Sequence, residues 1–127
     1  MILSTIDNSN PIGVVGAGTM GAGIAQVAAT NGHLVQLYDT ENEALDTARK
    51  NIKKILDRKI EKGSLIKFEA KGIIDKIKLS KDIRKFADCA LVIEAVLENL
   101  DIKKKVFENI EAVVNDDCIL ATNTSSL

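Results

Sequence analysis

The period of apolar and polar positions changes several times along these 127 residues, and each change marks an element. Ile12-Gly13-Val14-Val15 is a short apolar run rich in β-branched residues. It is opened by the only proline, Pro11, which is tolerated at the first position of a strand. Gly16 and Gly18 break the run. Thr19 to Asn31 then reads as a helix of small and apolar residues, stopped by Asn31-Gly32. His33 to Tyr38 alternates as a second strand and ends at Asp39. From Glu41 to Lys62, Ala44, Ala48, Ile52, Ile55, Leu56 and Ile60 recur at helical spacing and predict one buried stripe. Acids gather in the first turns of that helix and Lys/Arg toward its end, as the macrodipole favours, and Gly63-Ser64 closes it. A short helix is predicted within 65–76, weakened by Gly72, and a minor strand at Lys78-Leu79-Ser80.

Cys89 to Ile93 is a continuous apolar run, the pattern of a strand buried on both faces of a parallel sheet. Asp101 to Val114 predicts a helix with Ile102, Val106, Ile110 and Val113 inward, and Cys118 to Ala121 a further strand. Strands alternating with helices predict an α/β fold with a parallel sheet. The length is about one domain's worth. The expected organisation is a loosely held tail over residues 1–10 and one domain over 11–127.

Composition removes several classes of function. Apolar residues make up 46% and charged residues 28%, ordinary globular usage. No apolar run approaches the ~20 residues of a membrane span. Met1 to Asn10 carries no Lys or Arg and does not read as a secretory signal, so the expected compartment is the cytoplasm. Cys89 and Cys118 lack a CxxC spacing and are expected as buried free thiols, and no cluster has metal-ligand spacing. Charge is unevenly spread: residues 1–48 hold five acids and no Lys or Arg, whereas residues 49–85 hold fourteen bases against five acids. That basic third suits either an anionic ligand or a solvated helix face. Tyr38, Phe68, Phe86 and Phe107 are too few to form a stacking platform for single-stranded nucleic acid. Neither nucleic acid nor a membrane is an expected partner.

Gly16-Ala17-Gly18-Thr19-Met20-Gly21 fits GxGxxG. It follows a strand, opens a helix and precedes Asp39 at the end of the next strand, eighteen residues after Gly21. In that context Gly16 permits the tight turn, Gly18 lets a pyrophosphate approach the backbone, and Gly21 lets the helix lie against the strand. Free N–H groups at the helix start and the positive end of its dipole then hold the diphosphate. Asp39 accepts hydrogen bonds from the adenosine ribose hydroxyls and would repel a 2′-phosphate, and Thr40 offers no cation in exchange, so NAD is expected rather than NADP. Met20 reads equally as a cofactor contact or a core residue. A general base for hydroxyl chemistry would ordinarily be a histidine. The single one here, His33, falls at the amino end of the sheet, away from any cofactor, and is expected as a surface or edge residue.

GAGTMGAGIAQVAA, the Tyr38-Asp39 strand end, Leu91 to Val96 followed by Glu98-Asn99-Leu100, and Leu120 to Leu127 closely resemble the 3-hydroxyacyl-CoA dehydrogenases, with the 3-hydroxybutyryl-CoA branch nearest. The resemblance runs from about Pro11 to the last residue. It implies a Rossmann-type, doubly wound parallel sheet with helices on both faces, and NAD-dependent interconversion of (3S)-3-hydroxyacyl-CoA and 3-oxoacyl-CoA in fatty-acid β-oxidation or butanoate metabolism. By position it implies that Gly16 to Gly21 hold the diphosphate, Asp39 the ribose, and Glu98 and Lys103 further parts of NAD. Ser125 would face the nicotinamide and bond the reacting oxygen of the substrate, beside Asn123. Arg58 and Lys62 would meet the phosphates of the acyl-CoA substrate. Read without the resemblance, Glu98 only leads into a helix and Lys103 to Lys105 are a solvated run.

In that family the catalytic histidine, its glutamate and the helical dimerising domain follow the region matched here. The chain alone is therefore expected to bind NAD, to be monomeric, and to turn over no substrate. Two other readings stay open: a non-catalytic NAD-binding module, redox-sensing or structural, and a fragment of a β-hydroxyacid dehydrogenase. One departure from the family pattern, Ile66-Lys67-Phe68-Glu69 in place of a Thr-led acidic cap, leaves the start of the short helix open.

Overall fold

The five predicted strands assemble into one parallel sheet in a computed structural model that describes residues 10–95 and 100–122. The strands are β1 (Ile12–Val15), β2 (Val35–Tyr38), β3 (Ile77–Ser80), β4 (Leu91–Glu94) and β5 (Ile119–Thr122), in the order β3-β2-β1-β4-β5. Four helices join them: α1 (Thr19–Thr30), α2 (Asn42–Glu61), α3 (Lys67–Asp75) and α4 (Leu100–Glu111). A 3-10 turn at Ile83–Phe86 leads from β3 into β4. Both cysteines stand just before their strands rather than within them; Cys89 is buried and Cys118 only half-buried, against the expectation of two buried thiols.

Alternation along each strand divides the core in two. Ile12, Val14, Val35, Leu37 and Leu91 face α1, α2 and α3, while Val15 and Val92 face Phe86 and Ile110 on the other side. The predicted doubly wound architecture, with helices on both faces, is the one that forms. β1 and β4 lie centrally and β3 and β5 at the edges, so the continuous apolar runs fall where both faces are covered. Ala22, Ala25, Ala28 and Ala29 are all enclosed, which lets α1 lie close on β1 and β2.

The stripe on α2 is centred on Leu45, Ala48, Ile52 and Leu56, and Leu45 is the member that the helical count left out. Burying each of its large aliphatic side chains contributes roughly 1.5–3 kcal/mol. The start of α3 is settled by Glu69, whose carboxylate accepts the Ile66 backbone N–H at 3.1 Å. His33 overturns its expected exposure. It does fall at the amino end of the sheet, but it is 1% exposed, because the chain folds back from α1 into β2 there and its N–H bonds to Ala28 O at 3.1 Å. The expected tail through residue 9 lies outside the described residues.

Candidate functional site

The order of strands reverses between β1 and β4: the chain leaves β1 toward β2 on one side and returns to pair β4 on the other. In open parallel sheets ligands bind at such a point, beyond the carboxyl ends of the strands. The glycine turn stands there. Gly16 adopts φ +102°, a conformation that disfavours any side chain. A Cβ on Gly21 would overlap the Gly16 carbonyl oxygen, so Gly21 is what allows α1 to start against β1. Gly18 differs, since a Cβ there meets nothing within 4 Å. The room it preserves is outside the protein, above the helix start. Among the described residues no side chain caps that start, which leaves its amides available to an anion.

Asp39 directly follows β2, beside this turn. Its Oδ2 accepts the Ala17 N–H at 2.8 Å and its Oδ1 accepts the Glu41 N–H at 2.9 Å. The Ala17 amide, expected to help hold a diphosphate, is therefore committed to Asp39. Thr19 and Met20 are exposed at the first turn, and Met20, at 49% exposure, is not a core residue.

A cavity of about 270 Å3 opens next to Asp39, lined by Val15, Gly16, Tyr38, Thr40 and Ile83 and closed by Lys105, Val106 and Asn109 of α4. Ile83 reaches it from the 3-10 turn. Asp82 braces that turn by accepting the Arg84 N–H, Nε and Nη2, each at 3.0 Å, and this bonding to Arg84 holds its carboxyl below the ordinary carboxylate range.

A second cluster lies at the carboxyl ends of β4 and β5. Glu94 is fully enclosed; the Thr122 hydroxyl donates to its Oε1 at 2.7 Å, and Lys103 Nζ stands 4.0 Å from the same oxygen. Lys103 is 5% exposed, which removes the reading of it as part of a solvated run; Lys104 and Lys105 are exposed. Arg58 sits on the last turn of α2 and Lys62 directly after it, both exposed. Glu98, Asn123 and Ser125 lie outside the described residues.

Residues 11–127 match the family model described as the NAD-binding domain of 3-hydroxyacyl-CoA dehydrogenase. The chain belongs to that family. This NAD-binding domain is 44% identical to a probable 3-hydroxybutyryl-CoA dehydrogenase of Deinococcus radiodurans, an alignment covering 91% of the chain and 41% of the relative. Among solved structures it superimposes on Mycobacterium tuberculosis FadB2 with a TM-score of 0.91 at 36% identity, covering 95% of this chain and 43% of that one. With (S)-3-hydroxybutyryl-CoA dehydrogenase PaaH1 of Ralstonia eutropha the TM-score is 0.89 at 36% identity, covering 93% and 42%. The chain thus spans about two-fifths of the length of these relatives.

NAD, the cofactor of the domain, fits the residues present. The uncapped helix start and the open side of Gly18 suit a diphosphate, and the cavity beside Asp39 suits an adenosine. Sequence reasoning missed Ile83, Lys105 and Asn109, whose place in this cavity depends on how a 3-10 turn and α4 dock on the sheet. It also missed Glu94 and Thr122. A signal for Glu94 was present, as an acid ending an otherwise apolar buried strand.

Proposed function

We propose that this domain serves the interconversion of (3S)-3-hydroxyacyl-CoA and 3-oxoacyl-CoA in fatty-acid or butanoate metabolism, with the adenosine of NAD in the cavity beside Asp39. The observation that carries the reading is the uncapped glycine turn ending beside Asp39 and its apolar cavity, in a chain whose relatives are named for 3-hydroxybutyryl-CoA. NAD, when bound, supplies the hydride acceptor or donor. The amides at the start of α1 fix its diphosphate, Asp39 selects an unphosphorylated ribose, and Lys103 and Glu98 contact the rest of the cofactor. Ser125 bonds the reacting oxygen of the substrate. Arg58 and Lys62, four residues apart on one face at the end of α2, meet the phosphates of coenzyme A.

The chain by itself contains one histidine, enclosed at the end of the sheet opposite the glycine turn, so the proton transfer that accompanies hydride transfer has no candidate base among its histidines. The 127-residue chain should bind NADH in a fluorescence titration and show no acetoacetyl-CoA-dependent NADH oxidation. Robust oxidation would overturn its proposed dependence on a base supplied from elsewhere. Coenzyme A titrated into the chain should perturb amide resonances at the end of α2, and Arg58→Glu with Lys62→Glu should abolish the effect. Unchanged coenzyme A binding in that double variant would remove both residues from the substrate site, whereas no coenzyme A binding by the unaltered chain would favour a free β-hydroxyacid as substrate.

A further inference from the structure

We propose that Glu94 is a positioning residue of the cofactor site: the buried counter-ion that holds the Lys103 ammonium in the crevice on the side that receives the nicotinamide half of NAD. The proposal rests on the reading of Lys103 as a cofactor contact and extends it to a residue that touches no ligand itself.

Glu94 is the last residue of β4, in register with Val15 of β1 on one side and Thr122 of β5 on the other. One of its oxygens, Oε1, is shared by the Thr122 hydroxyl at 2.7 Å and the Lys103 ammonium at 4.0 Å. Three elements that border the crevice, β4, β5 and the first turn of α4, therefore converge on one carboxylate.

Neither charge is favoured where it stands. An enclosed carboxylate is costly unless it is paired and hydrogen-bonded. A lysine in the first turn of a helix meets the positive end of the dipole, and a lysine only 5% exposed is rare unless a partner holds it. Each group supplies the other's counter-charge. Packing alone does not call for such a pair, because apolar residues of similar volume commonly serve stability as well or better.

What the pair adds is a cation fixed at a set place. By the rule for open parallel sheets a dinucleotide would lie across the switch point, with its adenosine half toward the β1–β2 side, where Asp39 and the cavity stand. Its other half would then fall over β4 and β5, where this cluster lies. Held by Glu94, Lys103 loses its rotamer freedom in the folded protein rather than on binding, and so presents its charge to the cofactor without a further ordering cost. The ammonium also shields an anionic ligand from the carboxylate behind it.

The test compares AMP, which probes the adenosine half alone, with NADH, which probes both. Glu94→Gln keeps the size of the side chain and an acceptor for Thr122 while removing the charge. It should weaken NADH binding about tenfold, in line with the loss of one partner of an enclosed charge pair, and leave AMP affinity within about twofold. Lys103→Met should act in the same way, and the double variant should bind no more weakly than Lys103→Met alone.

A purely structural role predicts a lowered melting temperature with AMP and NADH affected alike, and that result overturns the proposal. Normal NADH binding by Glu94→Gln beside weakened binding by Lys103→Met overturns the role of Glu94 while leaving the reading of Lys103 intact. Normal binding by Lys103→Met overturns that reading and the proposal together. Should Glu94→Gln fail to fold, Thr122→Val removes only the hydroxyl on the same oxygen. It should weaken NADH about threefold with AMP unchanged, and equal binding of NADH by Thr122→Val and the wild type overturns the proposal.

Discussion

The Asp39 carboxylate accepts the Ala17 backbone N–H at 2.8 Å, across 22 residues of chain, and so ties the end of β2 to the glycine turn that follows β1. One side chain therefore both shapes the glycine turn and lines the cavity proposed for the adenosine. Asp39→Ala should lower stability by roughly 1.5–3 kcal/mol, the typical loss of a hydrogen bond to a charged group. The same variant should weaken NAD+ binding more than tenfold. Lys105 lines the same cavity, and without the carboxylate it is left to meet a 2′-phosphate. The ratio of NADP+ to NAD+ affinity should therefore rise, as read by calorimetric titration with both cofactors. An unchanged ratio would remove Asp39 as the determinant.

The three fingerprint glycines should fail in different ways. Gly21→Ala places a methyl group on the Gly16 carbonyl oxygen, and α1 cannot move away without uncovering Ala22 and Ala25. Urea unfolding should show a loss of roughly 3 kcal/mol, the upper end of the usual cost of an overpacked core site. Gly18→Ala meets nothing within 4 Å among the described residues, and its φ of −72° and ψ of −170° are open to any residue. Its stability should change by less than about 1 kcal/mol, the scale of an N-cap substitution, while NADH affinity falls sharply. Gly16→Ala destabilises by a different route, backbone strain, because its φ of +102° is one that a side chain rarely tolerates.

The contrast between these glycines also indicates what can be read from the chain. GxGxxG between a strand and a helix, and Asp39 after the next strand, are local patterns with local mechanics, and they placed the turn and the acid side by side. The burial of β4 on both faces was legible too, because a continuous apolar run belongs where both faces of a parallel sheet are covered. Legibility ended where a side chain's environment is set by docking between distant elements. His33 was placed at the correct end of the sheet but with the wrong exposure, because the reversal between α1 and β2 covers it. Lys103, Lys104 and Lys105 look alike in sequence. One is enclosed against Glu94, one is exposed, and one reaches the cavity beside Asp39, according to the angle each takes around α4.

Ile83 tests the cavity proposed for the adenosine independently of any charge. It reaches the cavity from a turn that Asp82 braces, and among the described residues it is the apolar wall contributed by the 3-10 turn. Ile83→Ala should cost roughly 1–2 kcal/mol of binding through lost apolar contact. AMP and NADH should weaken together, by about five- to thirtyfold at that cost. This is the opposite of the split expected at Glu94. Equal affinities for AMP in wild type and variant would move the adenine elsewhere.

Burial pushes the Cys89 thiol from its ordinary value of 9.0 up to about 12, with smaller contributions from Cys118 and Asp88. Cys118 is also raised by burial, but it is half-buried and so remains the more accessible of the two. An alkylating agent at neutral pH should therefore modify Cys118 first and leave Cys89 unmodified until the protein unfolds. The linkage has a definite sign. Below pH 9 the Cys89 thiol is protonated in both states and the shift has no effect on stability. Between about pH 9 and about pH 12 the unfolded chain releases the proton that the folded chain keeps, so stability falls as pH rises through that window. Denaturant unfolding across the window, wild type against Cys89→Ala, should show a shallower decline in the variant even though its baseline stability is lowered by the smaller side chain. Parallel declines would mean that the thiol ionises as readily in the folded core as in the unfolded chain, and that the packing of Phe86, Val92 and Ile110 around it does not exclude the thiolate.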